Sequence, residues 1–114
     1  MERTLVSRTS ALKEYLGVIA NLPRLDEAAQ EALGRRLASG EHSVLAELTE
    51  SFLPYVVAEA TAVRGRGVRF EALIAAGNRG LAQGLRDEHG PLKARVERGV
   101  RQGIQEALGR CRRR

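Results

Sequence analysis

Apolar residues recur along this chain at spacings of three and four, which gathers them on one side of a helix. No stretch shows the alternation of a half-buried strand. Leu12, Tyr15, Leu16 and Ile19 form the first stripe, with Ser10 placed to cap it. Residues 1–8 carry no such period and are expected to form a loose arm. The first helix should stop near Asn21, because Pro23 steers Leu22 away from helical geometry. Asp26 can cap a second helix, with Leu33 and Leu37 on its inner face and Gly40 ending it. Ser43 opens a third, whose buried stripe is Val44, Leu48, Phe52, Tyr55, Val56 and Val63. Pro54 falls inside that stretch, where it removes a backbone donor and crowds the preceding turn at a cost of about 3 kcal/mol. A kink or break is expected between Ser51 and Tyr55.

Arg64-Gly65-Arg66-Gly67 reads as a loop. A fourth helix begins near Phe70, with Phe70, Leu73, Ile74, Leu81 and Leu85 inward. Gly77, Gly80 and Gly84 weaken it by up to about 1 kcal/mol each relative to alanine. Their spacing of three and four implies that another helix comes close to that face. Asp87 to Pro91 is a turn, and Pro91 suits the first position of a last helix. That helix carries Leu92, Val96, Val100, Ile104 and Leu108 on one stripe. The expected fold is all-α, a compact bundle of about five helices. A single domain over residues 9–109 and a basic tail over 110–114 follow, with no internal repeat and no long linker.

Composition adds two constraints. Apolar residues are 43% of the chain but aromatics only 4%, so the interior must be Leu, Val, Ile and Ala. No apolar run nears the roughly 20 residues that a membrane span needs, and Met1 to Leu5 lacks the pattern of a secretory signal. The single cysteine, Cys111, has no partner for an internal disulfide. A cytoplasmic protein is expected. The net charge of +5 is unevenly placed. From Leu92 onward there are eight Lys or Arg against Glu97 and Glu106, whereas residues 1–91 are close to neutral. Such a basic end suits a polyanion, since neutralised phosphates release their counterions. It equally fits a solvated helix whose C-terminal arginines complement the helix dipole.

The sequence offers little chemistry. His42 and His89 lie in turn-like contexts, and neither has a second ligand one helical turn away, so no metal site is expected. Arginines around Cys111 would lower its pKa, but nothing nearby would hold a substrate. Glu27, Glu31, Glu47, Glu50 and Glu59 are dispersed over helices as solvated faces. Gly65-Arg66-Gly67 is too short to cradle a phosphate. Neither catalysis nor a cofactor is expected.

Three ordered blocks carry a family resemblance. Arg64-Gly65-Arg66-Gly67-Val68, Phe70, Leu73-Ile74 and Gly77-Asn78-Arg79-Gly80-Leu81 form the first. Tyr15-Leu16, Ile19, Leu22-Pro23 and Leu25 lie upstream, and Val100-Arg101-Gln102-Gly103-Ile104 downstream. Together they resemble the core-binding and promoter-melting domain of the major bacterial sigma factors, over about residues 10–108. The resemblance implies that the helix containing Leu73, Asn78 and Arg79 docks on the clamp subunit of core RNA polymerase. It also implies that the last helix faces DNA.

The departures bear on function. Ala72, Ala75 and Ala76 stand where the family has Asp, Gln and Glu at the polymerase face. In the melting helix the family's Phe and Tyr positions are Leu92 and Arg95, and its two tryptophans fall on Arg98 and Gly99. No aromatic follows Phe70, so base stacking, worth about 1–3 kcal/mol per base, is absent there. DNA contacts would then be mainly to phosphate, from Lys93, Arg95, Arg98, Arg101, Arg110, Arg112, Arg113 and Arg114. A degenerate or regulatory sigma-like transcription protein is the leading expectation. One alternative is an interaction adaptor that binds an anti-sigma factor or self-associates through Ala72, Ala75, Ala76 and Ala82. Another is a non-specific nucleic-acid binder acting through its basic end. The four central aromatics, Tyr15, Phe52, Tyr55 and Phe70, are expected in or near the core.

Overall fold

The structure, a computed structural model, describes the backbone of residues 2–112 and the side chains of residues 11–110. It contains α1 (Glu2–Ala20), α2 (Glu27–Ala38), a short 3-10 turn (His42–Val44), α3 (Leu45–Ala62), α4 (Phe70–Arg86) and α5 (Leu92–Arg112). No strand occurs among the described residues. The fold is all-α, as the periodicity predicts, and no helix among the described residues is long and apolar enough to cross a membrane.

Several ends follow from local chemistry. Asp26 accepts the Ala29 N–H at 2.8 Å, which satisfies one of the orphan donors at the start of α2. Gly40 takes φ 98°, the left-handed conformation that closes a helix, and its N–H reaches the Leu37 carbonyl. Other ends depart from expectation. Residues 2–8 belong to α1 and are not a loose arm, and Ser10 lies inside that helix instead of capping it. Pro91 sits just before α5, its carbonyl accepting the Arg95 N–H at 3.0 Å. Arg110 and Arg112 continue α5, so at least that part of the expected tail is helical; Arg113 and Arg114 lie outside the described residues.

Pro54 does not break α3, which runs through it. The proline removes the donor for the Glu50 carbonyl and crowds it, and the next carbonyl along, that of Ser51, takes a donor from outside the helix. Gln30 of α2 donates to the Ser51 carbonyl at 3.4 Å and to its hydroxyl at 3.2 Å. Packing of Leu48, Phe52, Val56 and Ala60 on either side of the proline holds the helix in one piece.

The core lies where α3 packs on the antiparallel pair α4 and α5. Leu48 and Val56 of α3, Leu73 and Leu81 of α4, and Val96 and Val100 of α5 are its most enclosed side chains. Ile19 of α1 and Leu33 of α2 add to it from the periphery. Tyr15 and Tyr55 are half-buried, Phe52 and Phe70 buried.

The tightest contact is between α4 and α5, and it is made by glycine. A Cβ built on Gly80 would fall on the Gly99 carbonyl, and one on Gly99 would fall on the Gly80 carbonyl. One on Gly84 would lie 2.7 Å from the Arg95 carbonyl, and one on Gly103 would strike the Ala76 carbonyl. The expected close approach is therefore present at Gly80 and Gly84. Gly77 instead faces side chains, Val56 of α3 and Ile104 of α5. Both helices contribute a pair of glycines four apart, Gly80 with Gly84 and Gly99 with Gly103, so two backbones lie almost in contact.

Candidate functional site

On α4 the motif residues divide cleanly by face. Phe70, Leu73, Ile74, Gly77, Gly80 and Leu81 point inward, whereas Ala72, Ala75 and Arg79 are exposed. Leu73, expected among the polymerase contacts, is 0% exposed and belongs to the core. The proposed alanine face is likewise divided: Ala72 and Ala75 are open, Ala82 is half-buried, and Ala76 is buried beneath α5. Asn78 is half-buried, its Nδ2 donating to the Tyr15 hydroxyl at 3.3 Å while its buried Oδ1 has no partner among the described residues. Beside it an apolar slot of about 380 Å³ runs between α1 and α4, walled by Leu12, Tyr15, Ile74 and Ala75.

The basic residues of α5 separate into two groups. Those in its first half are engaged. Lys93 lies 3.9 Å from the Glu27 carboxylate. Arg95 is half-buried and donates to the carbonyls of Gly84 (3.3 Å) and Gly90 (2.9 Å), pinning the turn between α4 and α5. Arg98 donates to Asp87 at 3.0 Å and to the His89 carbonyl at 3.4 Å. Arg101 donates through Nε to the Tyr55 hydroxyl at 3.1 Å and pairs with Glu97 at 3.6 Å. Burial pushes the Tyr55 phenol above its usual pKa, against the opposing effect of the Arg101 hydrogen bond. These arginines staple α5 to its surroundings.

Arg110 differs. It is exposed and, among the described residues, has no acidic or carbonyl partner, and the same holds for Arg79. The two line one groove of about 240 Å³ over the glycine contact. The fold thus brings together an arginine expected on the polymerase face and one expected on the nucleic-acid face. Side chains of Arg112, Arg113 and Arg114 lie outside the described residues.

The turn itself carries the strongest electrostatic feature. The Asp87 carboxylate accepts from the backbone N–H of His89, from its ring nitrogen and from Arg98, and these hold its pKa down at about 2. A carboxylate whose folded pKa is depressed contributes stability above its unfolded value of 3.8 and loses it as pH falls toward 2. An Asp87→Asn variant should therefore be less stable than the parent at pH 6. The gap between the two should close progressively between about pH 4 and pH 2 in a series of urea melts.

No protein-family model and no curated protein matches this chain. The sigma resemblance accordingly rests on the order and spacing of the three sequence blocks. Among the described residues no group of three His, Cys, Asp or Glu gathers as metal ligands. His42 is exposed, and His89 is occupied with Asp87. A concavity of about 860 Å³ lies between α2 and the α4–α5 turn over Leu37, Leu45, Leu85 and Leu92.

Sequence reasoning missed the glycines of α5 and the polar residues beside them, Gln83, Gln102 and Glu106. A signal was present. The glycine pair in α5 repeats the spacing of the pair in α4, and once the short turn between them makes the helices antiparallel, matching the pairs identifies the side chains that flank the contact.

Proposed function

We propose that this chain is a sigma-like transcription protein that docks on core RNA polymerase through the outer face of α4. Phosphate contacts come from the C-terminal part of α5. The observation that carries this reading is the division of α4. The family-like apolar and glycine positions form the core contact, and the positions between them, Ala72, Ala75 and Arg79, are left open to a partner. The engaged state of Arg95, Arg98 and Arg101 moves the expected nucleic-acid contacts toward Arg110 and the arginines that follow it. Gly99, at one of the family's tryptophan positions, has no room for a side chain beneath α4, in keeping with a regulator that does not melt promoters.

A second reading has its own observation. Ala75 and the slot beside Leu12 and Tyr15, with Glu71 at its edge, form a largely apolar surface, on which an apolar segment of a partner, such as an anti-sigma factor, would bury little polar area.

Capture of purified core polymerase across a salt series tests the first reading. Binding is expected to saturate and to be competed away by an ordinary sigma factor. Arg79→Glu should weaken it about tenfold or more, the scale of one charged contact of about 1.5–3 kcal/mol. Capture that is absent, or indifferent to Arg79→Glu, counts against polymerase docking. Binding of an anti-sigma factor that resists both salt and Arg79→Glu would favour the adaptor. Charge reversal at Arg95 or Arg98 is a poor probe, because it would disrupt the staples to Gly84, Gly90 and Asp87.

A further inference from the structure

We infer that the groove over the α4–α5 glycine contact is a phosphate site for a nucleic-acid strand, with Arg79 and Arg110 as its two cationic jaws. The inference rests on the nucleic-acid part of the function proposed above and places that contact in a groove, shared by Arg110 with Arg79, that the sequence did not indicate.

Three observations support it. First, Arg79 rises from α4 and Arg110 from α5 to line the same groove, and neither has a partner among the described residues. Lys93, Arg95, Arg98 and Arg101 of the same helix all have partners. A guanidinium without a counter-ion is free to present its planar fork to a phosphate oxygen pair. Second, the floor is made by Gly80, Gly99 and Gly103, where no side chain stands between the two walls. An anion can therefore settle between the jaws, with the amides of Gln83 and Gln102 lining the same groove as further donors. Third, the chain continues past Arg110 with Arg112, Arg113 and Arg114. Cations that follow one another in the sequence suit a ligand with successive phosphates better than a lone anion.

One group opposes the anion. The Glu106 carboxylate also lines the groove, where its Oε1 accepts from Gln102 Nε2 at 3.3 Å. It lowers the local positive charge and occupies one of the amides, so binding should be moderate and should improve when Glu106 is neutralised.

The test is fluorescence anisotropy with a labelled single-stranded DNA oligonucleotide, using the full chain over a range of salt. Arg79→Ala and Arg110→Ala should each weaken binding about tenfold and lower the steepness of log K against log salt by about 0.7. Glu106→Gln should tighten it severalfold. Arg35→Ala removes the same charge from the exposed end of α2 and should change affinity less than twofold. Equal losses for Arg79→Ala and Arg35→Ala would overturn the site and leave only diffuse attraction to the basic end. Inorganic phosphate is the second probe, followed through the backbone amides of Gly80, Gly99 and Gly103 by NMR. Shifts that saturate at lower concentration with phosphate than with the strand would assign the groove to a free anion and overturn the strand. Arg110→Ala separates this inference from polymerase docking, since it leaves the α4 face intact: it should reduce oligonucleotide binding while polymerase capture is unchanged.

Discussion

Gly80→Ala is expected to destabilise the protein by about 3 kcal/mol, the upper part of the usual range for an overpacked site. Within an exposed helix the same substitution would stabilise by up to about 1 kcal/mol, because alanine is the better helix former. The sign reverses here because the new methyl group would occupy the position of the Gly99 carbonyl. A flexible side chain could swing aside, but a backbone carbonyl in the middle of α5 moves only if the helix moves. Displacing α5 would in turn open the packing of Val96 and Val100, both 0% exposed. Gly17→Ala supplies the contrast. It lies in α1 with nothing within 4 Å of a built Cβ, and it should stabilise by up to about 1 kcal/mol. Urea midpoints of the two variants should shift in opposite directions. A Gly80→Ala protein as stable as its parent would mean that the two helices do not touch as described.

Leu73→Ala should cost about 2–5 kcal/mol, as does truncation of a leucine in a closed core. Set against the 5–15 kcal/mol by which a typical domain is stable, that leaves a fold near its limit. The point of the substitution is what it does to polymerase capture. Leu73 has no exposed surface and cannot touch a partner in this fold. Any loss of capture should therefore follow the fraction unfolded, and capture should recover at a temperature or osmolyte concentration where the variant is folded. Circular dichroism and capture measured on the same samples decide it. Binding lost by a fully folded Leu73→Ala protein would place the residue at the interface after all.

The sequence and the structure agree where one helix decides the matter alone. The stripes of α4 and α5, the Asp26 cap and the Gly40 stop are local consequences of spacing and backbone preference, and each is where the periodicity places it. Disagreement begins where a distant residue decides. Pro54 is tolerated because packing and Gln30 support α3 from outside. Arg95, Arg98 and Arg101 have the spacing of a phosphate-binding face, but their partners Gly84, Gly90, Asp87 and Tyr55 lie on other parts of the chain. Leu73 sits in a motif that the family uses for docking, and only the packing of α4 shows which of its residues face outward. Arg79 and Arg110 are 31 positions apart in sequence and become neighbours on one groove only once the glycine pairs set the register.

The glycine contact also constrains how a signal could pass through this protein. Helices joined through side chains can shift against one another as rotamers change. Here backbone meets backbone, with no intervening torsion to adjust, and rotation or sliding would drive a carbonyl into the opposite chain. The two helices therefore behave as one stiff beam, with the outer face of α4 and the groove above the contact, which adjoin at Arg79, held in a fixed relation. Two ligands carried on such a beam would meet at Arg79, which both sites use, and would otherwise sense each other through charge, which salt can screen, and not through a change of shape.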